Sequence, residues 1–266
     1  MLIIADNLTA SRRGVRRAIE ARDGETISRL CQRIASTGAD WIDINPGFLS
    51  AAKRREVWRF LVETVEGACD VRLVIDGSDA RTMAVALDFC TRPPVLNMVT
   101  AAPERLGPTL DLVASHASVD LVCGTMTTSP PPTLEERLEL AALIVSEANA
   151  RGIENERLLI DPLVLPLALT GGEQQAAVVV EFIRAVGWSF DPIPRSLIGI
   201  SNLMTKTAGA RSSRASSAFL AAAWGAGLSA VLVDVFDHQL MDTIELCQVF
   251  RGEKIFSPTT LDRRED

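Results

Sequence analysis

The chain of 266 residues is poor in the side chains that most metal and redox centres need. Its two histidines, His116 and His238, are too few for most imidazole-built metal clusters, so no metal ligands are assigned. The five cysteines (Cys31, Cys69, Cys90, Cys123 and Cys247) are odd in number, widely spaced and without a Cys-x-x-Cys pair. That excludes a zinc site or disulfide framework and fits reduced thiols in a cytoplasmic protein. Lysine is scarce as well. Lys53, Lys206 and Lys254 all lie outside the strand-like runs, so a Schiff-base aldolase would lack its buried amine. No apolar run is long enough for a membrane span; the longest, from Ala218 to Val233, is broken by Gly225, Gly227 and Ser229 and reads as helix, turn and strand. A secretory signal pattern is not expected, because Met1 leads through a short apolar run directly to Asp6. With a net charge of −7, nucleic acid is not an expected partner. The one basic cluster, Arg12, Arg13, Arg16 and Arg17, reads as a solvated helix face, with a docking patch for an acidic partner as the alternative.

What is present is an ordinary globular composition, 47% hydrophobic and 23% charged, in a chain of the length of one barrel domain. Short apolar runs near Leu2–Ala5, Trp41–Ile44, Arg72–Ile75, Val95–Met98, Val119–Val122, Leu158–Ile160, Leu197–Ile200 and Ala230–Val233 are bounded by Gly, Pro, Asp or Asn, as buried parallel strands are. Helical patterns separate them, among them Glu25–Thr37, Lys53–Gly67, Asp79–Phe89, Leu134–Arg151, Gln174–Val186 and Ser213–Gly227. Thr133 is placed to cap one helix, with Glu135 and Glu136 at the positive end of its dipole. Gly38, Gly152, Gly187 and Gly227 stand where helices should stop. A dinucleotide-binding sheet would require a glycine fingerprint after an early strand, and none is found. Eight strand–helix units therefore predict an α/β fold, a (β/α)8 TIM barrel forming one domain over residues 1–266, with 253–266 as a peripheral tail.

Barrels carry their chemistry at the C-terminal ends of the strands. Those positions hold Asp6 and Asn7, Asp43 and Asn45, Asp76, Asn97, Asp161, Ser201 and Asn202, and Asp234. Taken singly, each has an ordinary role open to it, capping the next helix or shaping a turn. Asp76 is freer than that, since Ser78 or Asp79 is better placed to cap the following helix. Asp161 precedes Pro162, which extends it along the strand, and no convincing helix begins before about Glu173. Such a rim, rich in acceptors and amides, suits a fused heterocycle with an amino–imino edge, because one carboxylate can accept two parallel N–H bonds. A pterin has that edge.

At these residues the sequence resembles the pterin-binding methyltransferases, specifically the methyltetrahydrofolate:corrinoid protein methyltransferases. The matching segments are Gly38-Ala-Asp-Trp-Ile-Asp-Ile-Asn-Pro-Gly47, Leu73-Val-Ile-Asp76, Val95-Leu-Asn97, Leu159-Ile-Asp-Pro-Leu163, Gly199-Ile-Ser-Asn202 and Val231-Leu-Val-Asp234. The resemblance implies that Asp76, Asn97 and Asp161 hold the pterin ring, with Asp161 at the amino–imino edge. It further implies that Asn202 reaches N5, the methyl-bearing nitrogen. Asp43, Asn45, Asn7 and Arg211 are further candidates for substrate contact. The substrates implied are tetrahydrofolate or 5-methyltetrahydrofolate and a cobalamin carried by a separate corrinoid protein; a homodimer is implied as well. Asp6-Asn7 stands where several relatives have glutamate and arginine, and Asp76-Gly77 replaces an Asp-Ser pair. Dihydropteroate synthase shares the barrel and similar acidic residues. It carries Ser-Arg-Lys where this chain has Ser201-Asn202-Leu203, and an Arg-x-His element near the eighth strand where this chain reads Leu232-Val-Asp-Val235. A folate-binding barrel without catalysis is the remaining alternative. Lys206, Arg211 and Arg214 are candidates for the glutamate tail of folate or an acidic partner, and the Cys123–Pro132 loop is a candidate lid.

Overall fold

In a computed structural model, which describes residues 1–205 and 211–257 (Arg211 by its backbone alone), eight parallel strands close into a barrel in sequence order. They are β1 (Leu2–Thr9), β2 (Trp41–Asn45), β3 (Arg72–Asp76), β4 (Val95–Thr100), β5 (Asp120–Gly124), β6 (Leu158–Asp161), β7 (Arg195–Gly199) and β8 (Ala230–Val233), and β8 pairs back onto β1. Around them run α1 (Arg13–Ala21), α2 (Gly24–Ser36), α3 (Ala51–Ala68), α4 (Ala80–Leu87), α5 (Pro103–Ala114), α6 (Leu134–Asn149), α7 (Gly172–Ser189), α8 (Arg211–Ala226) and α9 (His238–Phe250). The expected (β/α)8 architecture is the one observed. No helix among the described residues is long and apolar enough to cross a membrane. Lys206 and residues 258–266 of the expected tail lie outside the described residues.

Strand alternation divides the core into two shells. Ile42, Ile44, Leu73 and Ile75 point outward under the helices, whereas Ile4, Trp41, Val74, Val95, Val122, Leu159, Leu197 and Ala230, one from each strand, pack together inside the barrel. The capping box at Thr133 forms with Glu136, and Gly38, Gly152 and Gly227 have positive φ at the helix ends, as the sequence predicts. Gly187 does not end its helix: α7 continues to Ser189. The helix read from the arginine cluster is α1, whereas two helices escaped the pattern: α5 contains Gly107 and Pro108, and α9 follows a short turn capped by Asp237. The largest change concerns β1, which the sequence ends at Ala5. It runs on to Thr9 through a register shift between Ala5 and Leu8, so Asp6 and Asn7 lie within the strand.

Beneath the apolar layer, the inward-facing first residues of three strands form a charged plug. Asp120 accepts from Arg72 (2.7 Å) and from Arg195 (2.9 Å), and both guanidinium groups lie over the Trp41 ring at 5.2 and 5.6 Å. Removing the shared carboxylate leaves two cations facing one another at the barrel floor. Asp120→Ala is expected to lower unfolding free energy by about 1–3 kcal/mol, discounted for the partial exposure of the arginines. An unshifted urea midpoint would contradict that role for the plug.

Candidate functional site

The opposite, C-terminal end of the barrel holds a cavity of about 370 Å³, within the range of small-molecule sites. Alternation from the apolar layer dictates much of its lining. Two residues beyond Trp41, Val74, Leu159 and Ile4 stand Asp43, Asp76, Asp161 and Asp6, all on the cavity wall. Asn45 follows Asp43 by the same step. β4 breaks the rule: its register shifts between Leu96 and Val99, and the consecutive residues Asn97 and Met98 both reach the cavity. A Cβ on Gly124 would lie 2.8 Å from the Met98 sulfur, so the absence of a side chain there makes room for Met98.

The polar side chains hold one another in place. Asn45 Nδ2 donates to Asp76 (2.5 Å), and Asn97 Nδ2 donates to Asp43 (3.2 Å). Asp161 was expected to cap nothing nearby, but its Oδ1 accepts the Leu163 N–H at 2.7 Å. Pro162 has no N–H to offer, so the first available donor is two residues on, and Leu163 takes φ of 66° to present it. The other oxygen of Asp161 has no hydrogen bond within the protein among the described residues. Asn202 sits in a 3-10 turn (Ile200–Met204) directly after β7 and is exposed at the mouth. A Cβ at Gly199 would come within 3.2 Å of the Asn202 amide nitrogen, a tight approach that glycine relieves.

Burial governs the electrostatics. It raises Asp161 to about 7, against the opposing pull of the Leu163 N–H and Arg137. Asp76 rises to about 6, again by burial, opposed by Asn45 and Arg105. Asp43 is pushed well above the usual carboxylate range by burial and then by the neighbouring Asp76 charge. Near neutral pH the cavity therefore contains carboxyls balanced between accepting and donating hydrogen bonds. Cys123 takes no part: it is buried on the outer face of β5, and burial drives its thiol pKa up. No cluster of three or more metal-ligating side chains occurs among the described residues.

Six of the candidate residues, Asp43, Asn45, Asp76, Asn97, Asp161 and Asn202, thus line one cavity. Asn7 does not. With β1 extended through its bulge, Asn7 is buried in the β1–β8 seam, donating to Asp234 (2.5 Å) and accepting from the Val235 N–H (3.0 Å). Its amide is spent on the fold rather than on a ligand. The side chain of Arg211 lies outside the described residues. Two arginines were missed. Arg12, read with the solvated cluster, reaches the mouth and lies 2.9 Å from Asp234 and 3.5 Å from Asp6. Burial alone would raise Asp234, but Arg12, Asn7 and the Phe236 N–H outweigh it and hold that carboxyl low. Arg137 is fully buried on α6 and bonds the carbonyls of Pro131 (2.9 Å) and Pro162 (2.7 Å), bracing the chain that presents Asp161. Its signal was available: it shares the helical spacing of the buried Ala141, Ile144 and Ala148.

The sequence profile of the family described as "Pterin binding enzyme" matches residues 7–234, and the chain belongs to that family. A methylcorrinoid:tetrahydrofolate methyltransferase of Eubacterium limosum is 26% identical over 170 residues, which are 63% of this chain and 62% of that protein. The fold is similar to 7,8-dihydropteroate synthase from Vibrio fischeri ES114 (TM-score 0.68, 19% identity, covering 96% of this chain and 94% of that one). It is likewise similar to dihydropteroate synthase from Xanthomonas albilineans in complex with 7,8-dihydropteroate (TM-score 0.66, 19% identity, covering 96% and 94%).

The raised pKa of Asp161 has a consequence for stability. Between the ordinary 3.8 and about 7, the folded protein holds a proton that the unfolded chain has released, so this group costs stability as pH rises through that window. Asp161→Asn is expected to raise the melting temperature of the ligand-free protein at pH 8 by at least ~2 °C, with the gain shrinking towards pH 5. A variant less stable than wild type at pH 8 would contradict the burial argument.

Proposed function

We propose that this pterin-binding enzyme moves a methyl group between N5 of tetrahydrofolate and the cobalt of a corrinoid protein. The observation that carries the reading is the convergence of Asp76, Asn97, Asp161 and Asn202, from four separate strand–loop units, on one cavity. The similarity to the Eubacterium limosum methyltransferase supports it. The synthases share the fold, and they are the second reading. Joining a pterin to p-aminobenzoate with loss of diphosphate calls for cations to stabilise the departing charge. Where those enzymes carry Ser-Arg-Lys, this chain has Ser201-Asn202-Leu203.

In the proposed complex the Asp161 carboxylate accepts two N–H bonds from the amino–imino edge of the pterin. Those donors replace the water that burial removed, so ring binding relieves the same desolvation that raises the Asp161 pKa. Asp76 and Asn97, already linked through the carboxyl–amide pairs with Asn45 and Asp43, meet the remaining polar atoms of the ring. Asn202 at the mouth donates to N5. An amine is a poor leaving group unless N5 gains a proton or a strong hydrogen bond. The amide does not titrate, so the proton comes from water at the open rim, and once N5 is protonated the Asn202 carbonyl oxygen accepts the N5–H bond. A reduced corrinoid, brought by its own protein, supplies the nucleophile that takes the methyl. The barrel contributes alignment, electrostatic stabilisation and a site that the partner can cover. The same site serves transfer in either direction.

The test is direct. The protein is mixed with 5-methyltetrahydrofolate and cob(I)alamin, and methylcobalamin is followed by absorbance. Asn202→Ala is expected to slow transfer roughly a hundredfold while weakening folate binding by a much smaller factor. Undiminished turnover would remove Asn202 from the reaction, and formation of dihydropteroate from p-aminobenzoate and the pterin diphosphate would favour the synthase.

A further inference from the structure

Asp6 is the cavity carboxyl that ring binding leaves without work. Asp43, Asp76 and Asp161 each accept a hydrogen bond from an amide N–H of the protein. Asp6 Oδ1 is buried and has no hydrogen bond among the described residues; Arg12 Nη2 lies 3.5 Å from it. Its place follows from the extension of β1: two residues beyond Ile4, the side chain turns inward, only 13% exposed, and lines the cavity. Ser201 and Asn202 line the same cavity as consecutive residues of the turn after β7, both exposed at the mouth. A hydroxyl both donates and accepts, so Ser201 can carry a proton between the enclosed Asp6 carboxyl and the rim.

The groups around Asp6 come from several elements. Burial is the strongest influence and raises its pKa; the Ser201 hydroxyl and the Arg12 guanidinium lower it, and the Asp234 charge at the end of β8 raises it again. Asp43 on β2 is the other acid close by, and the Asp6 charge adds to the rise of its pKa. The balance makes Asp6 a weaker acid than an ordinary carboxyl, so it keeps its proton to higher pH. Such a group can act as an acid in a site whose amides cannot.

We propose that Asp6 is the source of the proton for N5, passing it through the Ser201 hydroxyl to the rim water beside Asn202. The Asp6 O–H bond breaks, Ser201 accepts that proton and gives up its own, and the water delivers one to N5. The bond from N5 to the methyl carbon then breaks with its electron pair remaining on nitrogen. The electron pair of the reduced corrinoid forms the new bond to carbon, which formally oxidises the cobalt by two electrons. N5 keeps the proton, and the Asp6 carboxylate is recharged from solvent. Transfer in the other direction returns the proton to Asp6. This role rests on the methyl-transfer reading and adds to it the origin of the proton.

Single-turnover transfer from saturating 5-methyltetrahydrofolate to cob(I)alamin, followed between about pH 5 and 8, tests it. The wild-type rate should level off towards acid pH as Asp6 becomes protonated. Asp6→Asn should lose that plateau and be slower by roughly tenfold or more at neutral pH, a much larger factor than its effect on tetrahydrofolate binding. Arg12→Gln, at a side chain 40% exposed, removes a charge that lowers the Asp6 pKa and should carry the edge of the plateau to higher pH. Without any corrinoid, the ultraviolet absorbance of bound 5-methyltetrahydrofolate should show less N5 protonation in Asp6→Asn than in wild type at the same pH. A wild-type plateau in Asp6→Asn, or an edge that Arg12→Gln leaves in place, would overturn the role of Asp6 while leaving methyl transfer intact. Absence of transfer by the wild type would overturn the methyl-transfer reading, and this role with it.

Discussion

Closure of eight parallel strands forces every second residue of each strand into one shared interior. That interior must therefore be layered by chemistry. In this protein the floor is the Arg72–Asp120–Arg195 plug, the middle is the apolar ring from Ile4 to Ala230, and the rim is a set of carboxyls and amides. The apolar layer keeps the cations of the floor away from the acids of the rim. Asp43, Asp76 and Asp161 are thus taken out of water without a matching set of arginines, and burial heads the causes of all three raised pKa values. Carboxylates in that state are costly to the empty protein and well suited to a ligand that arrives with its own N–H donors.

The rim is kept in shape by two kinds of support. Carboxyl–amide pairs, Asn45 with Asp76 and Asn97 with Asp43, hold the wall from within. Buried arginine braces it from behind, since Arg137 ties the loop before α6 at Pro131 to the backbone just past the sixth strand at Pro162. Arg12 performs a related task at the β1–β8 seam, where it shares Asp234 with Asn7. A polar site assembled from loops alone would have to order these groups on binding; here the hydrogen bonds have ordered them already.

The strands were legible because short apolar runs bounded by Gly, Pro, Asp and Asn are what a strand buried on both faces requires. Most of the site was legible for the same reason, as an acid or amide two steps beyond an inward apolar residue lands on the rim. What failed were departures from period two. The bulge in β1 carried Asn7 into a seam, and the one in β4 brought Met98 to the cavity beside Asn97. Neither leaves a mark in composition. Arg12 was hidden in a run of arginines whose other members face solvent, and its reach across to β8 depends on barrel closure, which no local pattern encodes. Arg137, by contrast, stood on an apolar helical stripe and could have been found.

Under the proposed function, the acid–amide rim seats one bicyclic ring in one orientation. A crystal structure of the protein with 5-methyltetrahydrofolate tests it most directly. The ring should lie inside the barrel mouth with its amino–imino edge on Asp161 and N5 turned towards Asn202. A ring bound elsewhere on the surface, or seated in the cavity with its edge turned away from Asp161, would contradict it.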